Sequence, residues 1–185
     1  MRAALSKKGM TLVEFIVGLL LFAIITTVVS AVFTPIFRVQ LRARELAECN
    51  ALLDNIANQM INDLSEASVS LEESNPGLPA ENSLFISVNK PLDVRYFTES
   101  DENAERYGVL LRIVNTGASE IETPVLPDGA FRRRQIWFTC EAAYADEETK
   151  GTAYVLEVTV TSERVRENIS RKYAVMPLLL NQNTG

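Results

Sequence analysis

Nineteen consecutive residues, Phe15 to Phe33, carry no charge. A helix needs about 20 apolar residues to cross the hydrocarbon core of a bilayer. The run meets that length, and the rest of the chain reads as an ordinary charged, soluble sequence. One membrane-spanning helix is therefore expected, and a multi-spanning protein is not.

The flanks set the limits of that helix. Residues 1–9, MRAALSKKG, are short, basic and free of acids. Residues 10–37 form the apolar segment, and Arg38, Arg42 and Arg44 follow it. Each flank thus carries three basic residues, so counting lysine and arginine alone leaves the polarity open.

From residue 38 to residue 66 the pattern stays helical. Leu46, Cys49, Leu53, Ile56, Met60 and Leu64 recur at spacings of three and four, with polar residues largely between them. This predicts an amphipathic helix with one core-facing stripe. No glycine interrupts it, so it continues the membrane helix, for a total of about 85 Å at 1.5 Å per residue. Pro35 lies inside and is expected to bend it, because proline removes a backbone bond and crowds the preceding turn. Thr34 and Ser30 are placed to satisfy the carbonyls this frees.

Residues 67–82 read as a loop, punctuated by Asn75-Pro76-Gly77 and Pro79. Beyond them, residues 83–185 switch to a period of two. Strands are expected at Ser83–Val88, Val94–Thr98, Tyr107–Asn115, Arg134–Cys140, Ala153–Ser162 and Ser170–Met176. The fold class that follows is α+β: a long N-terminal helix whose outer half packs on one antiparallel sheet of about four to six strands. Trp137 and Phe138 are read as core residues of their strand.

Composition excludes several chemistries. The chain has no histidine, so Ser-His-Asp and Cys-His centres and histidine metal ligands are ruled out. Net charge is −6, and loss of residues 1–9 would make it −9. An acidic body argues against nucleic-acid binding through a broad basic surface. Arg132-Arg133-Arg134 is the one local basic patch, and it reads as a solvated strand edge. Asp101-Glu102 and Asp146-Glu147-Glu148 lack EF-hand spacing and read as solvated loops. Asn168-Ile169-Ser170 matches a glycosylation acceptor by pattern only. No arrangement of nucleophile, base and oxyanion donor can be named, so neither an enzyme nor a cofactor is expected.

Cys49 and Cys140 lack zinc spacing. Two readings stand: a disulfide tying helix to sheet, or two small buried residues of the helix–sheet core.

The most informative stretch is Lys7-Lys8-Gly9-Met10-Thr11-Leu12-Val13-Glu14-Phe15. A general secretory signal has its small-residue cleavage site after the apolar region. Here the small residue, Gly9, precedes it, so cleavage there would leave the whole apolar helix on the product. The new amino terminus would lie four residues from Glu14, the only charge in the segment. A carboxylate inside a bilayer helix costs about 2.5–3.5 kcal/mol on insertion scales, so such residues are usually functional or paired. In a staggered pack of helices, one subunit's amine would meet the next subunit's Glu14 and set axial register.

This stretch resembles the prepilin leader of the type IV filament superfamily: type IV pilins, competence pseudopilins and type II secretion pseudopilins. The shared pattern is a basic leader ending in glycine, a hydrophobic residue, three further residues and a glutamate, all opening an apolar helix. The resemblance implies that Gly9 precedes the bond cut by a prepilin peptidase. It implies that Met10 becomes the new terminus, commonly N-methylated in the family with S-adenosylmethionine as donor, and that Glu14 is the register glutamate. Phenylalanine is the family's usual first residue, and its helix-bending proline tends to lie nearer the terminus than Pro35. The implied partners are other pilin-like subunits, the peptidase, an assembly platform protein and the lipid bilayer.

The function expected is that of a structural subunit, a minor pilin or pseudopilin, anchored once in the cytoplasmic membrane with its head outside. The rival is a membrane-tethered extracytoplasmic binding protein that never polymerises. It would keep residues 1–9.

Overall fold

The computed structural model describes residues 11–76, 78–88, 92–125, 134–144 and 152–178. The chain divides into two compact units, 1–44 and 45–185. The described part of the first unit is helical. A single helix, α1 (Leu12–Ser65), supplies it and also provides the first element of the second unit.

In the second unit, α1 buries a continuous stripe. Cys49, Leu53, Ile56, Ala57, Met60 and Leu64 have no accessible surface. Their spacing repeats every three or four residues, which keeps them on one side of a helix turning once per 3.6 residues. Each fully buried Leu, Ile or Met contributes about 1.5–3 kcal/mol of transfer free energy. One expected stripe position differs. Leu46 is half-buried, and the buried residue one turn before Cys49 is Glu45.

The strands form two antiparallel sheets of four, not the single sheet expected. One has the order β1-β6-β7-β8: β1 (Ala80–Glu81), β6 (Arg134–Tyr144), β7 (Thr152–Ser162) and β8 (Glu167–Val175). The other has the order β2-β3-β4-β5: β2 (Ser83–Ser87), β3 (Asp93–Thr98), β4 (Leu110–Asn115) and β5 (Glu120–Pro124). Both sheets send side chains into one core with α1: Leu84, Ile86, Val94, Tyr96 and Leu110 from one, Ile136, Phe138, Leu156, Val158 and Val160 from the other. The expected loop over 67–82 also holds a four-residue helix, α2 (Leu71–Ser74), as well as β1. Strand β5 escaped the sequence pattern because Glu120-Ile121-Glu122-Thr123-Pro124 carries two acids and a proline and is exposed throughout.

Two residues at positive φ clip the sheets together. Asn82 (φ 55°) lies between β1 and β2, where the chain changes sheet. Its N–H donates to the Phe138 carbonyl at 3.0 Å, its side-chain oxygen accepts from the Phe138 N–H at 3.2 Å, and its carbonyl accepts from Thr98 N–H at 2.8 Å. Asparagine tolerates this left-handed conformation better than other side chains. Gly108 (φ 72°) does the same on the other side, donating to Glu99 at 2.8 Å and accepting from Ile136 at 2.9 Å. A Cβ there would lie 2.6 Å from Gln135 Cβ, so only glycine fits.

Candidate functional site

The N-terminal part of α1 is apolar with nothing to cover it. Every residue from Thr11 to Arg44 is exposed. An 18-residue window there has a mean hydropathy of 2.7, long and apolar enough to cross a membrane. Its three threonines are compatible with lipid because each hydroxyl bonds the carbonyl four residues back. Thr26 donates to Phe22 at 2.8 Å, Thr27 to Ala23 at 2.8 Å and Thr34 to Ser30 at 2.7 Å. The Thr34 hydroxyl therefore serves Ser30. The carbonyl that Pro35 leaves without its helical donor is that of Ala31, one residue further on.

Glu14 sits in the first turn of this helix. Its carboxylate accepts from the Thr11 N–H at 2.9 Å and from the Thr11 hydroxyl at 3.1 Å. The Thr11 hydroxyl in turn accepts from the Glu14 N–H at 3.3 Å. This is a capping box: a threonine N-cap and a glutamate three residues later satisfy each other's backbone donors. The pattern Thr11-Leu12-Val13-Glu14 was readable in the chain, and reasoning on Glu14's charge alone missed it. Gly9 and Met10 lie outside the described residues, as do Arg132, Arg133 and Asp146-Glu147-Glu148.

In the second unit, α1 carries four acids from Glu45 to Ser65 and no base, and every acid meets an arginine from a sheet. Glu45 accepts from Arg134 Nε at 2.9 Å and from the Ser162 hydroxyl at 2.9 Å, with Arg164 at 3.4 Å. Glu48 takes the other arm of Arg134 at 2.5 Å. Asp54 meets Arg171 at 2.5 Å. Asp63 receives a two-pronged contact from Arg112 at 2.8 and 3.1 Å, and the Tyr96 hydroxyl at 2.5 Å. The Arg134 bond, more than any other factor, holds the Glu45 carboxyl below its ordinary pKa. Burial pushes Tyr96 up, and its bond to Asp63 pushes Arg112 up. These pairs fix the helix to both sheets.

Arg134 thereby departs from its expected place. The last residue of the arginine triplet is not a solvated edge: its side chain is only 11% exposed. Trp137 also departs. Phe138 is buried at 2%, as expected, but Trp137 points to the opposite face and is half-buried. Adjacent strand residues face opposite sides, so the two cannot share one core.

Cys49 and Cys140 are both buried, and no disulfide joins them. Cys49 lies one turn from Glu45, its thiol 3.9 Å from that carboxylate. Cys140 sits six residues beyond Arg134 on β6, opposite Ala80 and Leu156. At ~3.3 Å per residue, that is about 20 Å from the strand end that Glu45 contacts. Burial raises the Cys49 thiol pKa. Asp101 and its neighbours form an exposed local turn, with Asp101 accepting from the Asn103 N–H at 2.9 Å. Among the described residues no group of three or more His, Cys, Asp or Glu is placed to hold a metal.

No family model, curated protein or solved structure matches the chain.

Proposed function

We propose that this chain is a structural subunit of a type IV pilin-like filament, a minor pilin or pseudopilin. It is inserted once in the cytoplasmic membrane and processed after Gly9 by a prepilin peptidase. The observation that carries this reading is Glu14, a carboxylate in the first turn of α1, within a stretch that is exposed throughout from Thr11 to Arg44.

That surface requires lipid or other helices around it. In the membrane it anchors the precursor. In a filament it packs against the same segment of other subunits. Glu14 remains a cost in both settings until a cation joins it. Cleavage creates that cation, the Met10 amine, next to the capping box. Thr11 already orients the Glu14 carboxylate, so a neighbour's amine meets an acceptor fixed in direction. The second unit supplies a head in which α1 is tied to both sheets by ion pairs.

Two substitutions separate charge from capping. Glutamine at the third helical position preserves a capping box, whereas alanine does not. Glu14→Gln and Glu14→Ala are both expected to insert and to be cleaved, and both to fail in filament incorporation. Full incorporation of Glu14→Gln would show that Glu14 caps the helix and sets no register. A tethered protein that never polymerises would be absent from sheared filaments in every version, wild type included.

A further inference from the structure

The only tryptophan in the chain lies outside the core, on the outer face of the β1-β6-β7-β8 sheet. The edge of one ring meets the face of the other between Trp137 and Tyr107, centroids 5.5 Å apart at 64°. Trp137 also lines a cleft of about 310 Å³ with Glu81, Thr139, Glu157 and Thr159. The strand register explains why these side chains converge. Thr139 is paired with Glu81 on one side and Glu157 on the other, while Trp137 is paired with Thr159 in the adjacent row. Directly opposite residues have Cβ atoms ~5 Å apart, so two carboxylates flank Thr139 beside the indole.

Charge selects what fits this cleft. Glu157 is shared with Lys172 at 3.3 Å and also accepts from the Ser170 hydroxyl. Among the described residues Glu81 is exposed and has no ion pair. The two carboxylates and one ammonium leave a net charge of −1 beside an aromatic ring. An indole face attracts cations through its quadrupole, more strongly when the pair is desolvated. The threonine hydroxyls supply acceptors for a guanidinium's remaining N–H groups.

The geometry points to a recognition site for an arginine side chain of a protein partner, stacked on Trp137 and paired with Glu81 and Glu157. The site is independent of whether the chain polymerises.

Because Trp137 is the sole tryptophan, its fluorescence reports occupancy directly. The full chain in non-ionic detergent is titrated with a blocked tripeptide, acetyl-Ala-Arg-Ala-amide, and with its citrulline counterpart, which has the same shape and no charge. The arginine peptide is expected to give a saturable change. The citrulline peptide should bind at least tenfold more weakly. Glu81→Gln should weaken the arginine response at least threefold, and added salt should weaken it further. Equal responses to both peptides, no saturable response, or an unchanged response in Glu81→Gln would overturn the assignment. So would a saturable response to a neutral oligosaccharide that matches or exceeds the arginine response.

Discussion

Glu45 of α1 accepts a 2.9 Å hydrogen bond from Nε of Arg134, the first residue of β6, with its own side chain only 6% exposed. The pair joins residues 89 apart in sequence, at the point where the second unit begins. Ser162 completes the carboxylate's acceptor needs from β7. A buried ion pair is worth little more than a well-packed apolar pair, but removing one partner leaves a stranded charge. Glu45→Ala is therefore expected to destabilise the head by about 3 kcal/mol, the low end of the range, because Glu48 still holds Arg134. Replacing Glu45 and Arg134 together by methionine should cost much less. Amide exchange in β6 and β7 of the full chain measures both. Equal losses in the two variants would contradict the stranded-charge account.

The same pair gives a pH dependence. The Glu45 pKa is lowered in the fold from an ordinary value of 4.5. Its contribution is then fully present above that value and is lost as pH falls through the depressed folded value. The head should lose stability on acidification below about pH 4.5, and Glu45→Gln should flatten that part of the profile. An unchanged acid limb in Glu45→Gln would show that other carboxylates carry it.

Gly108 and Gly117 make a matched comparison. Both have φ near 75°, but a Cβ at Gly108 would strike Gln135 at 2.6 Å, while at Gly117 nothing lies within 4 Å. Gly117→Ala carries the left-handed penalty alone, about 1–2 kcal/mol. Gly108→Ala adds a steric term of about 1–3 kcal/mol and pushes at the joint between the sheets. Thermal unfolding of the two variants should rank them in that order. A Gly117→Ala midpoint at or below that of Gly108→Ala would contradict the joint's geometry.

Cys49 and Cys140 should titrate as two thiols after denaturation without reductant, and neither should react quickly in the folded protein. Burial protects both, and the raised pKa of Cys49 starves it of thiolate. A thiol count of zero would mean a bridge, contradicting two separate buried thiols.

Helix α1 and six of the eight strands were legible because their periods, 3.6 and 2, are written in single runs of residues such as Cys49 to Leu64 and Tyr154 to Val160. Division into two sheets was not, since alternation says which face a residue takes and nothing about which strands it joins. The joint at Asn82 sits in a stretch that looks like loop, and its work is done by backbone groups shared with Phe138 and Thr98. Glu45 was hidden for a different reason. A charge on a core stripe is destabilising until its partner is known, and Arg134 lies far along the chain. Glu14 stood out because lipid admits so few charges, yet its local partner, Thr11, was passed over in favour of a distant one.

The central claim concerns a bond that either is or is not cut. The protein is extracted from membranes of cells that express their own prepilin peptidase, and its N-terminal peptide is identified by mass spectrometry. The account predicts a chain that begins at Met10, N-methylated, with residues 1–9 removed. A chain that retains residues 1–9, in cells whose other pilin-like proteins are trimmed, would contradict it.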